Sequence, residues 1–291
     1  MGPCDKEAEQ VMTSDWSPRL IVSDIDGTLI DSRDRVPQRV RAVIGRAVAA
    51  GAEVALATGR PHRWIHMVLE QLPVRPVCVT SNGAVLYDAG RDEVIATHTI
   101  SPDTMARVLA AARRALEDVG GVSVAAERGG KNSRDIAEEI FVVGPGYLHT
   151  WSEQGFGEAA EDEVISVPAV KMILRNDFLS APEMHARIAP LIDDAEAHLT
   201  YSMNEGLIEV AAPGVTKAYG VHTLTQLHGI DQRDTVAFGD MPNDIEMLRF
   251  AGYGVAMRNA HPGVIAAADV VTSSNDEGGV ADVLEQWFPA Q

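Results

Sequence analysis

Arg19-Leu20-Ile21-Val22-Ser23-Asp24-Ile25-Asp26-Gly27-Thr28 opens the ordered part of this sequence and decides its fold. The short run of branched apolar residues ends at Asp24, which suits a strand buried on both faces, as inside a parallel sheet. Beyond it the period changes. Val40, Val43, Ile44, Ala47 and Val48 recur at helical spacing, with Pro37 near the start and Gly51 just past the end, which predicts a helix. Residues 54–57 then read as a second buried strand; Ile65, Val68, Leu69 and Leu72 as a second helix; and residues 77–80 as a third strand. This alternation predicts an α/β fold with a Rossmann-like, doubly wound parallel sheet.

The pattern breaks near Ala84. Residues 85–87 and 94–99 flank a turn-like segment, and a helix capped by Ser101 and Pro102 reaches about residue 119. Further strands are expected at 122–126, 170–174, 199–203 and 207–210, with a helix over 182–192, so the middle of the chain reads as α+β and mainly antiparallel. After Gly214 strict alternation returns to the end of the chain. The expected organisation is a disordered tail at 1–16, a catalytic core made of 17–86 and 211–291, and an inserted α+β cap domain at 87–210.

Composition narrows the function. Hydrophobic residues make up 46% and charged residues 23%, ordinary globular values, and no apolar run is long enough for a bilayer span. Forty-two acidic against 24 basic residues give a formal net charge of -18, which repels nucleic acid and anionic membranes. The expected partner is a small molecule, with no nucleic acid, membrane or obligate protein partner. Cys4 and Cys78 are the only cysteines and suggest no disulfide framework, and the polar start lacks the features of a secretory signal, so a cytoplasmic setting is expected.

Ligands of open parallel sheets bind beyond the carboxyl ends of the strands. Four clusters fall at such ends or at the start of the helix after the insertion. Asp24-Ile25-Asp26-Gly27-Thr28 presents two carboxylates, a nucleophile and an acid/base, around a glycine turn. Thr58-Gly59-Arg60 offers a hydroxyl and backbone amides suited to phosphate oxygens. Lys217 supplies a cation. Gly239-Asp240-Met241-Pro242-Asn243-Asp244 is an oxygen-rich cluster suited to a hard divalent cation.

In this order the four clusters resemble the haloacid dehalogenase-like hydrolase superfamily, and Ser81-Asn82-Gly83-Ala84 with the inserted middle resembles its Cof-type branch, with a class IIB cap. The resemblance implies a Mg2+-dependent phosphatase acting on phosphomonoesters, sugar phosphates or related metabolites, through an aspartyl-phosphate. It implies that Asp24 is the nucleophile, Asp26 the acid/base, and Thr58 and Lys217 the groups that stabilise the transferring phosphoryl. Gly59, Arg60 and Asn82 would lie against the substrate. The metal would be held by Asp24, the Asp26 carbonyl and Asp240, with Asn243 and Asp244 acting through water or from behind.

Three other functions compete with this one. A phosphomutase would use the same two aspartates. A dinucleotide-binding protein would need glycines where Asp24 and Asp26 stand. A non-catalytic metal-binding module would keep the acidic cluster alone. His62 and His66, four apart, have the spacing of a transition-metal pair but no third ligand nearby, and Arg128, Lys131 and Arg134 form a basic cluster that reads as a solvated loop.

Overall fold

The computed structural model describes residues 16–148 and 155–290. Positions 1–15 of the expected tail, Cys4 among them, lie outside the described residues. Trp16, placed in that tail, is packed: its ring lies 5.1 Å from that of Trp287 and 6.4 Å from that of Tyr253.

The first half of the core runs β1 (Leu20–Ser23), α1 (Gln38–Ala49), β2 (Glu53–Ala57), α2 (His66–Leu69), β3 (Val77–Thr80), β4 (Val85–Asp88) and β5 (Glu93–Thr97). The middle of the chain supplies α3 (Pro102–Ala115), β6 (Ser123–Glu127), α4 (Ala137–Ile140), β7 (Phe141–Val143), β8 (Gly157–Glu158), α5 (Glu161–Val164), β9 (Lys171–Arg175), α6 (Ala181–Ile188), β10 (His198–Thr200) and β11 (Leu207–Ala211). The second half of the core follows as α7 (Lys217–His228), β12 (Thr235–Gly239), α8 (Ile245–Phe250), β13 (Tyr253–Ala256), α9 (Pro262–Ile265), β14 (Val270–Val271) and α10 (Gly279–Leu284).

Eight strands form the core sheet in the order β14-β13-β12-β1-β2-β3-β4-β5, parallel from β14 to β3. The chain winds outward from β1 in one direction and from β12 in the other. The crevice beyond β1 and β12 is therefore the topological switch point, where an open parallel sheet binds its ligand. All four residues of β1 are buried, as a central parallel strand requires, and α1 lays Val40, Val43, Ile44 and Ala47 against the sheet. Ser101 starts α3 by accepting from the Thr104 amide, and Thr216 starts α7 by accepting from the Tyr219 amide.

Six strands, β10-β11-β9-β6-β7-β8, form the inserted sheet, antiparallel except for β7 with β8. The helices α3 and α6 cover one face with Met105, Val108, Leu109, Met184 and Ile188. Along β9 and β11 the side chains alternate, so Lys171, Ile173, Leu207 and Glu209 share the opposite face. That face looks toward the core.

The boundary drawn at 86/87 cuts through β4, and the structure keeps both β4 and β5 in the core sheet. The change from parallel to antiparallel pairing marks a hairpin that extends this sheet, because β4 pairs with β3 as well as with β5. At the other boundary β11 runs through Ala211, one residue past the expected end. The helix expected to reach residue 119 ends at Ala115 and is followed by a single tight turn over Glu117–Val119. No helix of the described residues is long and apolar enough to cross a membrane.

Candidate active site

Asp24 leaves β1 in an extended conformation, and its amide donates to the Phe238 carbonyl of β12, which fixes it at the switch point. The chain then turns at Gly27, with φ of +71°. A Cβ on Gly27 would stand 2.3 Å from the Asp240 carboxylate, so only glycine lets the first and last clusters approach this closely. Thr28 completes the contact by donating its hydroxyl to Asp240 Oδ1 at 2.7 Å.

Lys217 enters from the first turn of α7 and is wholly buried. Its ammonium donates to Asp24 Oδ1 at 2.6 Å and to Asp244 Oδ1 at 2.7 Å. The other oxygen of Asp244 accepts from the amides of Asp240 and Met241, each at 3.0 Å. Asp244 therefore shapes the loop and anchors the lysine. Among the described residues, Asp24 and Asp240 each keep one oxygen outside these bonds. Gly83, φ +97°, lets the turn after β3 abut the start of α7: a Cβ there would meet the Thr216 carbonyl at 1.9 Å.

The electrostatics follow from three buried carboxylates sharing one ammonium. Burial pushes the Asp24 carboxyl well above its ordinary value; Lys217 opposes this, and Asp244, Asp240 and Asp26 add to it. Asp240 is pushed up to about 7, chiefly by burial and then by Asp244, against the Thr28 hydrogen bond and Lys217. Burial works against the Lys217 charge, but Asp24 and Asp244 outweigh it and hold the ammonium above its ordinary range.

A second cation fits this donor set. Asp24, Asp240 and Asp244 each offer an oxygen within 4.8 Å of the others, and the buried Asn243 Oδ1 has no hydrogen-bond partner. An all-oxygen cluster with surplus negative charge suits a hard divalent ion.

A cavity of about 380 Å³ opens above these groups. It brings together Asp24, Asp26, Thr58, Gly59, Arg60 and Asn243 of the expected set. Lys217, Asp240 and Asp244 lie beneath it. The Arg60 guanidinium grips Asp26, donating from Nε to Oδ2 at 2.8 Å and from a terminal nitrogen to Oδ1, while the Arg60 amide donates to Thr58 Oγ1 at 3.1 Å. Asn82 is buried in a left-handed conformation, φ 55°, and its side chain joins Asn243 to Glu209.

The two histidines part company. His62 is buried, with Nε2 3.2 Å from the Asn132 carbonyl, whereas His66 is exposed and pairs with Glu70. The basic cluster disperses as well: Arg134 pairs with Asp92, and Arg128 reaches the Glu139 carbonyl.

The cavity wall from the inserted sheet was missed by the sequence reading. Glu127, Phe141, Lys171, Ile173, Leu207 and Glu209 line it, with Trp64 from the core. Lys171 and Glu209 form a buried ion pair at 2.7 Å, and Arg63 reaches from the core to Glu127 at 2.6 Å. Burial pushes Glu209 up, but Lys171, Asn82 and Ser202 prevail and hold its carboxyl below the ordinary value. A signal existed: lysine and glutamate are rarely buried unless paired, and each interrupts an otherwise apolar strand.

The sequence profile of haloacid dehalogenase-like hydrolases matches residues 21–284. The 5-amino-6-(5-phospho-D-ribitylamino)uracil phosphatase YitU of Bacillus subtilis is 26% identical over 283 residues, covering 93% of this chain and 98% of that protein. A HAD-superfamily phosphatase from Bacteroides thetaiotaomicron has the same fold, with a TM-score of 0.75 at 23% identity over 96% of this chain and 98% of its own. A HAD subclass IIB sugar phosphatase gives a TM-score of 0.72 at 25% identity over 92% of this chain and 98% of its own.

Proposed function

The chain belongs to the haloacid dehalogenase-like hydrolase family and is a phosphatase, and from that premise we propose that it hydrolyses small phosphomonoesters with Mg2+ through an aspartyl-phosphate on Asp24. The observation that carries this reading is the placement of Asp24 at the switch point, against Lys217 and Asp240, at the floor of a cavity closed by the inserted sheet.

The Asp24 carboxylate attacks phosphorus as the bond to the leaving oxygen breaks, and Asp26 gives that oxygen a proton. Water then attacks the aspartyl-phosphate, Asp26 takes the proton back, and phosphate leaves. The Thr58 hydroxyl already accepts from the Arg60 amide, so its own hydrogen is left to donate to a phosphate oxygen. Lys217 balances charge on the transferring group. Arg60 now holds both oxygens of Asp26; an incoming phosphate competes for the same guanidinium and frees Asp26 for proton transfer. Asp24 and Asp240 would hold the Mg2+, with Asn243 and Asp244 behind them, and the ion offsets the repulsion between carboxylate and phosphate.

The cavity walls suit a leaving group with both polar and apolar parts, in keeping with sugar phosphates and related metabolites. A relative that acts on a phosphorylated ribitylamino-uracil and a neighbour that is a sugar phosphatase support that class. The buried free thiol of Cys78, pushed up to about 12 by burial, accords with work in the cytoplasm. The test is phosphate release from a panel of phosphomonoesters with Mg2+ and with chelator, for wild type and Asp24→Asn. We expect release only with Mg2+, no turnover by Asp24→Asn, and hydroxylamine-labile phosphate on the wild-type protein alone. Undiminished release in chelator, or phosphate carried by a histidine or serine, would overturn the reading.

A further inference from the structure

Four buried side chains from four separate segments form one continuous hydrogen-bonded chain across the two sheets. Asn243 donates to Asn82 at 3.0 Å, Asn82 donates to Glu209 at 3.0 Å, and Lys171 donates to Glu209 at 2.7 Å and to the Gly59 carbonyl at 2.8 Å. None of the four is more than 5% exposed. Asn243 and Asn82 belong to the core; Glu209 and Lys171 belong to the inserted sheet.

The chemistry of the two charged members fixes the direction of every bond. Lysine only donates, and an ionised glutamate only accepts. Glu209 must therefore meet the amide nitrogen of Asn82, which turns Asn82 Oδ1 toward the nitrogen of Asn243. The Asn243 oxygen is then left facing away from the chain, and it is the buried acceptor without a partner beside the acidic cluster. At the other end, the Gly59 carbonyl and the Arg60 amide share one peptide plane. Lys171 holds that plane at its oxygen and Thr58 holds it at its nitrogen. The orientation of the Thr58 hydroxyl thus depends on a lysine in the inserted sheet.

We propose that Lys171 and Glu209 are positioning residues which, once the inserted sheet is seated, set the hydrogen-bond polarity of Thr58 and Asn243. Chemistry at Asp24 is then efficient only with that sheet in place. The rate arm of this proposal rests on the phosphatase reading above.

The experiment compares wild type, Lys171→Met, Glu209→Gln, the double variant Lys171→Met/Glu209→Gln, and the charge exchange Lys171→Glu/Glu209→Lys. The double variant leaves no unpaired buried charge and serves if the single variants do not fold. Two readouts are taken: kcat and KM on acetyl phosphate and on a hexose phosphate, and hydrogen exchange of peptides covering residues 58–62. We expect kcat to fall about ten- to a hundredfold on both substrates, as for other groups that orient catalytic residues, with KM little changed. The 58–62 amides should exchange faster. The charge exchange restores an ion pair but sets an acceptor against the Gly59 carbonyl and reverses the asparagine amides, so it should not recover kcat. Recovery would mean that the pair is only structural and would overturn the proposal. So would an effect confined to KM for the hexose phosphate, which would make Lys171 and Glu209 direct substrate contacts. If wild type released phosphate from neither substrate the phosphatase reading would fall, while unchanged exchange at 58–62 would by itself sink the relay.

Discussion

The two sheets carry their functional groups in opposite ways. In the core, every group assigned to the proposed reaction lies in a loop beyond a strand end or at a helix start: Asp24 and Asp26 after β1, Thr58 after β2, Asp240 after β12, and Lys217 at the head of α7. In the inserted sheet the groups lie within strands, side by side across the ladder. Glu127 of β6 stands opposite Lys171 of β9, and Ile173 of β9 opposite Glu209 of β11. Loop groups can be aimed at one point because the backbone is free to turn there. Strand groups present a surface instead. A change in the core should therefore alter the reaction for every substrate, and most changes on the inserted face should alter only the choice among substrates.

Asp26→Asn gives the largest effect and the hardest test of the core half of this contrast. In the proposed mechanism Asp26 supplies a proton in the first step and removes one in the second, so its loss should slow both unless the leaving group needs no proton. An aryl phosphate has such a leaving group. With it the variant should release about one aryl alcohol per active site rapidly and then turn over slowly, since hydrolysis of the phosphoenzyme still lacks its base. With alkyl phosphates turnover should be lost, whatever the alkyl group. Rapid-quench measurements on both classes decide it: turnover equal to wild type would remove Asp26 from the mechanism.

The same contrast explains what could be read from the chain. The core was legible because its strands are continuous apolar runs and its chemistry is written in short contiguous clusters. Asp24 to Thr28 and Asp240 to Asp244 announce themselves before any fold is known. The inserted sheet was legible only in part as strands, since β6, β9, β10 and β11 fall where strands were expected while β7 and β8 were not anticipated, and it was not legible as a site. Nothing local to Lys171 says that it will meet Glu209 of the next strand and Gly59 of the core, because that meeting depends on register and on how two sheets face each other. Asn82 shows the limit within the core: its motif was visible, yet its role as a link between Asn243 and Glu209 needed both partners in space. The hairpin of β4 and β5 was read correctly as antiparallel and divided wrongly, because pairing direction does not reveal which sheet a strand joins.

A smaller effect should appear in the stability of the core. Asp240 binds its proton more tightly folded than unfolded, its value rising from 3.8 to about 7. The folded state therefore holds an extra proton between those values, and the metal-free protein loses stability as pH rises through that window, by an amount on the order of a few kcal/mol. Mg2+ bound as proposed would replace the proton, so its stabilising effect should grow from pH 5.5 to pH 8. Thermal unfolding of wild type and Asp240→Asn in chelator checks the sign, since the variant lacks this titration and also removes the part of the rise at Asp24 that Asp240 causes, which acts in the same direction. Wild type should lose ground to the variant as pH rises. A difference independent of pH would mean that Asp240 is not held protonated by its surroundings.

The smallest effect belongs to the apolar part of the inserted face. Ile173 is buried within a cluster with Phe141 and Leu207, lines the cavity two residues beyond Lys171, and makes no polar bond. Removing one methylene with Ile173→Val should cost about 0.5–1.5 kcal/mol of stability and leave the hydrogen-bonded chain through Lys171 intact. The fit of a leaving group against that wall should change, by about tenfold in kcat/KM, the low end of what one methylene in an apolar pocket is worth. Acetyl phosphate is too small to touch the wall and should be turned over as by wild type. The measurement is a ratio of kcat/KM for a hexose phosphate to that for acetyl phosphate, in both proteins. A shift in the ratio with acetyl phosphate unchanged would set Ile173 apart from its neighbour Lys171, although the two share one face of one strand. Equal loss on both substrates would instead show that the whole inserted face acts on the chemistry, and the division between reaction and choice would have to be redrawn.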